Sequence, residues 1–148
     1  MGGPQSEIQF QLRQGTWSSL QSALAAVRCA VFVDEQGVPE SLELDDHDFG
    51  SHHVLVCDRA SNPIGAGRIK PDGQIGRMAV LKAWRGQGVG SAILASLLEH
   101  ARTQGHMRVY LLAQASAVSF YVQSGFEARG AAFEAAGIQH QCMEKSLE

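Results

Sequence analysis

The segment RGQGVGS, Arg85 to Ser91, sets glycine at 86, 88 and 90 immediately before an apolar helical pattern. The first N–H groups of a helix lack carbonyl partners and carry partial positive charge, so a strand-to-helix turn of this kind is an anion site. Without Cβ atoms, Gly86, Gly88 and Gly90 let a diphosphate approach the backbone, in a turn completed by Gln87 and Val89. Arg85 can add charge-assisted hydrogen bonds, and the Ser91 hydroxyl one more donor.

Three phosphate-binding patterns compete for this stretch. The Walker pattern closes on Gly-Lys-Ser/Thr, and Gly90-Ser91 lacks the lysine. The dinucleotide fingerprint, forced as Gly86, Gly88, Ser91, lacks its third glycine and a leading strand-helix-strand unit. The pattern RxxGxG, read as Arg85, Gly88 and Gly90, fits without adjustment. A turn that only packs helix on sheet is the structural alternative.

The remaining reactive side chains say less. Adjacent His52 and His53 point to opposite faces of a strand, and His47, His100, His106 and His140 show no i, i+4 pairing, so no metal is expected. Cys29, Cys57 and Cys142 form no CxxC pair and are expected as reduced thiols. The net charge of −3 and the mixed charges argue against nucleic acid as a partner. No run approaches the ~18 apolar residues of a membrane span, and MGGPQSEIQF lacks a secretory pattern, so a cytoplasmic protein with no membrane partner is expected.

A chain of 148 residues falls within the usual ~100 to 200 for one domain, and a single domain over 1–148 is expected. EIQFQLR (7–13) alternates, with Ile8, Phe10 and Leu12 on one face of a half-buried strand. Trp17, Leu20, Leu24, Val27 and Val31 recur at helical spacing behind the cap Thr16. The acidic stretch VFVDEQGVPESLELDDHDFG reads as loop, or as a short helix between loops. HHVLVC (52–57), IGAGRIK (64–70) and QIGRMAV (74–80), joined by short turns, predict an antiparallel meander.

Ile93, Leu94, Leu97, Leu98 and Ala101 form one helical stripe, ended by Gly105. RVYLLAQ (108–114) is a strand, SAVSFYVQSG (116–125) a short helix, and HQCMEKSL (140–147) a final strand. The strand-helix-strand succession from 74 to 114 implies a parallel pair with a crossover helix. The expected architecture is α/β (α+β): a mixed sheet of about six to seven strands with helices on both faces.

These residues resemble the GCN5-related N-acetyltransferase family, whose central motif is an RxxGxG turn after a sheet strand. MAVLKAWRGQGVGSAILASLLEHA is similar to its acyl-CoA segment and ASAVSFYVQSGF to the helix that follows; VFVDEQGVPESLELDDHD with GIQHQCMEK resembles a bacterial branch. Lys82 stands where the family often has proline, and Gln114 where many members have asparagine.

The resemblance implies acetyl-CoA as co-substrate, its diphosphate on Arg85 to Ser91 and its pantetheine arm along the edge of strand Arg77 to Val80. A backbone N–H among Met78, Ala79 and Val80 would then polarise the thioester carbonyl, an effect of roughly 2.7 to 4 kcal/mol per donor. It assigns to Tyr121 the place beside the CoA sulfur, hence the general acid. No cysteine nucleophile is needed, because an amine can attack directly.

The first choice of general base is Glu35, its pKa raised by partial burial, with Asp45, Asp46 and His140 as alternatives and as the acceptor side. Asp34, Glu35, Glu40, Glu43, Asp45, Asp46 and Asp48 favour a cationic acceptor, a primary amine of a small molecule or peptide. The oligomeric state is left open, a homodimer included. Two other readings stand beside the enzyme: a CoA-binding sensor or scaffold without turnover, and a nucleotide-binding regulator.

Overall fold

A computed structural model describes residues 9–43 and 45–148. Seven strands among them form one sheet in the order β1-β2-β3-β4-β5-β7-β6: β1 Phe10–Gly15, β2 His52–Asp58, β3 Pro63–Ile69, β4 Gln74–Val80, β5 Arg108–Gln114, β6 Glu127–Ala135 and β7 Ile138–Ser146. β2 to β4 are the antiparallel meander that the short turns predict, and β1 adds antiparallel to β2. β4 and β5 are the parallel pair, and β7 runs antiparallel to both β5 and β6. The sheet is accompanied by helices α1 (Trp17–Arg28), α2 (Glu40–Glu43), α3 (Val89–Thr103) and α4 (Val118–Gln123), and no helix of the described residues is long and apolar enough to cross a membrane.

The alternation of β2 sorts the core into two layers. Val54 and Val56 face α3 with Ile93, Leu94, Leu97 and Ala101, whereas Leu55 and Cys57 face α1 with Trp17, Leu24 and Val27. The helices therefore cover both faces, as expected. α3 sits close on β3 because residues 65 and 67 are glycines: a Cβ on Gly67 would stand 2.5 Å from Ile93 Cγ2. Thr16 caps α1, its hydroxyl accepting from the Ser19 N–H at 3.2 Å while the Ser19 hydroxyl accepts from the Thr16 N–H.

Four expectations need correction. The stretch after Val31 is not a loop at its start: the chain continues from α1 as a π-helix over Cys29–Glu35, with Gln36 N–H donating to Val31 carbonyl at 3.0 Å. Val31 and Phe32 extend the apolar stripe of α1, which holds the extra turns on the sheet. β1 is a largely exposed edge strand rather than half-buried, with Leu12 at 39% exposure; Ile8 lies outside the described residues. β6 was not expected as a strand, and β7 begins two residues before His140.

The fourth correction bears most on the site. Arg77 takes φ +50, and the pairing of β4 with β3 slips between Ala66 and Arg68, which is a β-bulge. The bulge changes the facing of the strand. Ile75 packs on the α3 side, but so do Met78 and Val80, while Ala79 points to the α1 side.

His52 and His53 point to opposite faces. His53 lies against Trp17, and His52 stacks on His100 with centroids 3.7 Å apart. Burial first, then the neighbouring His100 and His53, hold His52 down from 6.5 to about 4; burial lowers His53 as well. A histidine whose folded pKa is depressed adds stability that is complete above its unfolded value and lost as pH falls towards the folded one. The urea midpoint is therefore expected to drop as pH falls from about 6.5 to about 4. His52→Gln should shrink that drop, and an equal drop in the variant would place the titration elsewhere.

Candidate active site

β4 and β5 are paired only at Gln74–Tyr110 and Ile75–Leu111. Past the bulge they splay, and no pairing with β5 is seen for Met78 to Val80. Leu81 follows, then a turn of 3-10 helix over Lys82–Trp84, then the glycine turn and α3. Gly86 and Gly88 have φ +77 and +87, the left-handed region that a side chain makes strained, and nothing lies within 4 Å of where their Cβ atoms would be. Gly88 is the N-cap of α3, so the N–H groups of its first turn have no intrahelical acceptor and open on this space.

The splay, the turn and the π-helix surround one cavity of about 950 Å³. Met78, Val80, Gly86, Gly88, Gly90, Ser91 and Tyr121 border it, as do Glu35, Gln36, Glu43, Gln114 and His140. Arg85, Ala79 and Val89 also border it. The side chains of Ala79 and Val89 are buried in the core, so their contribution is backbone. Gln87 lies outside the lining, its amide donating to the Ala83 carbonyl at 3.0 Å.

Tyr121 is 8% exposed, and its hydroxyl donates to Met78 Sδ at 3.3 Å, which places it beside the unpaired edge of β4. Burial pushes its pKa up to about 12. The hydroxyl is thus protonated through the neutral range.

Arg85 and Glu35 depart from their expected roles. The Arg85 guanidinium grips Glu35 in a fork, Nη1 to Oε2 at 2.6 Å and Nη2 to Oε1 at 2.7 Å, and its Nε donates to the Val80 carbonyl. Glu35 is exposed, and the hydrogen bonds from Arg85 lower its pKa, opposite to the rise expected for a base. An exposed carboxylate held by a guanidinium is a poor proton acceptor at neutral pH.

Asp45 and Asp46 stand outside the cavity lining. Asp45 accepts from Arg68 at 2.7 and 2.9 Å and from Arg77 at 3.1 Å, which depresses its pKa strongly; Asp46 is an exposed residue of a 3-10 turn over Asp46–Gly50. Neither reaches an acceptor in the cavity. His140 does line it. Its Nδ1 lies 2.7 Å from the Ile138 carbonyl, which must accept, so Nδ1 is a donor and Nε2 is the ring nitrogen outside that bond.

Three features have partners that the sequence did not indicate. Gln36 and Gln114 pair through both amides, at 2.9 and 3.1 Å, tying the π-helix to the end of β5. Arg77 forms the bulge. Glu43 is a buried carboxylate at the cavity wall. Among the described residues, no cluster of histidine, cysteine and acidic side chains is placed to hold a metal ion.

The geometry of the turn makes one prediction. Gly88→Val puts a branched side chain where an anion would approach and should raise the CoA dissociation constant at least tenfold, about 1.4 kcal/mol. Gly88→Ala, with the same left-handed backbone demand but little bulk, should fall between. Equilibrium titration of CoA into the folded variants decides it; unchanged affinity in the valine variant would leave the turn a packing device.

The acetyltransferase (GNAT) domain family model matches residues 20–147. The chain is 39% identical over 123 residues to a Bacillus subtilis protein named uncharacterized N-acetyltransferase YjcF, covering 80% of this chain and 87% of that one. The crystal structure of Escherichia coli ElaA superposes with a TM-score of 0.82 at 30% identity, covering 93% of this chain and 99% of that one. An acyl-CoA N-acyltransferase from Pseudomonas aeruginosa gives 0.82 at 28% identity, again covering 93% and 99%.

Proposed function

The chain belongs to the GNAT family of acyl-CoA-dependent acetyltransferases, and on that premise we propose that it acetylates a primary amine of a small molecule or peptide by direct attack. The observation that carries the proposal is the splay of β4 from β5, which leads into the Gly86 and Gly88 turn with the Tyr121 hydroxyl beside it. The open cradle over Gly86 and Gly88 fits a diphosphate, and the edge of β4 from Met78 to Val80, which does not pair with β5, fits the amide-bearing arm of CoA. Acetyl-CoA supplies the acetyl group as an activated thioester.

The chain's own residues supply the rest. Backbone N–H groups at the start of α3 hold the diphosphate. A backbone N–H of Met78 to Val80 hydrogen-bonds the thioester oxygen, where charge develops as the amine attacks. Tyr121 gives its proton to the departing sulfur. The proton lost by the amine goes to His140 Nε2, directly or through water, since Glu35 and Asp45 are held by arginines. Arg85 holds Glu35, and so keeps the π-helix against the turn.

Thiol release from acetyl-CoA with a panel of primary amines tests the reading. Amine-dependent release supports it. CoA binding without release from any amine would leave a sensor or scaffold, and stabilisation by ATP exceeding that by CoA would indicate a nucleotide-binding regulator.

A further inference from the structure

A network of six charged side chains lies under the π-helix and the β4 bulge. Arg28 donates through Nε to Glu43 Oε1 and through Nη1 to Asp48 Oδ1 at 2.8 Å. Arg68 bridges Asp48 and Asp45, and Arg77 reaches Asp45. The charges balance, with three arginines against Glu43, Asp45 and Asp48. Such a network serves stability when each oxygen has its donor.

One carboxylate oxygen does not. Glu43 is 2% exposed and borders the cavity, yet its Oε2 has no hydrogen-bond partner. Its Oε1 is taken by Arg28 and its carbonyl by Arg28 and by Arg77 Nε at 3.0 Å, so the carboxylate cannot swing away without breaking these bonds. Among the described residues, Arg68 Nε is also a buried side-chain atom without a partner, but Arg68 does not border the cavity. An unpaired buried carboxylate oxygen is costly, and a ligand that brings an N–H recovers that cost on binding.

We propose that Glu43 binds the acceptor, its Oε2 accepting a hydrogen bond from the N–H of the acceptor's primary amine beside the β4 bulge. The position is apt. Arg77, which holds the Glu43 carbonyl, is next in sequence to Met78, which touches the Tyr121 hydroxyl. Because the network is already neutral, Oε2 selects a hydrogen-bond donor rather than positive charge as such. A primary amine qualifies, and a quaternary ammonium of the same charge does not. The assignment rests on the acetyltransferase reading and names the side of the cavity that takes its acceptor.

The test is calorimetric titration of the CoA-saturated protein with benzylamine, tyramine, cadaverine and N-acetyl-lysine methylamide, with benzyltrimethylammonium as the cation lacking N–H. Glu43→Gln keeps the acceptor for Arg28 and turns an NH₂ donor toward the cavity. It should weaken the tightest of these amines at least tenfold, leave benzyltrimethylammonium unaffected, and raise the amine KM more than it lowers kcat. Should Glu43→Gln fail to fold, the double variant Glu43→Gln, Arg28→Met removes both partners and restores the charge balance.

Unchanged amine affinity in a folded variant overturns the Glu43 assignment, as does equal loss for the quaternary cation. Binding of these amines needs no turnover. A protein that binds them through Glu43 but releases no thiol would contradict the acetyl-transfer reading alone, and one that binds none of them contradicts both.

Discussion

Tyr121→Phe is expected to lower turnover about 10²- to 10⁴-fold, with little change in the CoA dissociation constant. The substitution is nearly silent in packing. Tyr121 meets Phe120 and Phe126 edge to face, at 5.0 and 5.7 Å, and a phenylalanine ring keeps both contacts. What it deletes is the hydroxyl beside Met78 Sδ. Its raised pKa, caused by burial, keeps the hydroxyl protonated through the neutral range, so that it can donate to the sulfur as negative charge develops there. Steady-state rates and a CoA titration on the same preparation separate the two roles. Turnover at the parental rate would remove Tyr121 from proton transfer and leave it as a core residue.

Asp48→Asn should destabilise the fold by about 3 to 5 kcal/mol, the usual loss when one partner of a buried ion pair is removed. Asp48 is 1% exposed and joins Arg28, at 2.8 and 3.0 Å, to Arg68, at 2.8 Å. Without its charge, two buried guanidinium groups face each other with Glu43 and Asp45 alone. Burial raises its carboxyl pKa, but the hydrogen bonds from both arginines outweigh that and leave it below the usual carboxylate value. Its contribution is therefore present above the unfolded pKa and lost as pH falls through the folded one. Urea unfolding at neutral pH measures the difference. A loss under about 1 kcal/mol would mean that the network is solvated rather than buried.

The segment from Gln74 to Gln114 was legible because three independent signals coincide there: alternation in the strands, a buried stripe at helical spacing, and glycines at a helix start. β6 escaped because every one of its residues is exposed, and a strand that buries neither face leaves no alternation to read. The bulge escaped for another reason. Arginine at positive φ has no sequence signature, although the position of Arg77 decides where β4 leaves β5.

Among the acidic residues, composition suggested an acceptor surface without distinguishing its members. Glu35 lies between Val33 and Gly37 in sequence, but its partner Arg85 is 50 residues away, and that pairing reverses its expected pKa shift. Asp45 is likewise claimed by Arg68 and Arg77. Glu43, one acidic residue among several in sequence, lines the cavity and has a buried oxygen without a hydrogen-bond partner. Pattern shows which residues are acidic; the packing of distant arginines decides which carboxylate remains available.

The most direct measurement incubates the protein with isotopically labelled acetyl-CoA and the amine panel and follows both products by mass spectrometry. The account predicts labelled N-acetyl amine and free CoA in equal amounts, with both slowed together in Tyr121→Phe. CoA bound at the glycine turn with no labelled amine formed from any primary amine would contradict it.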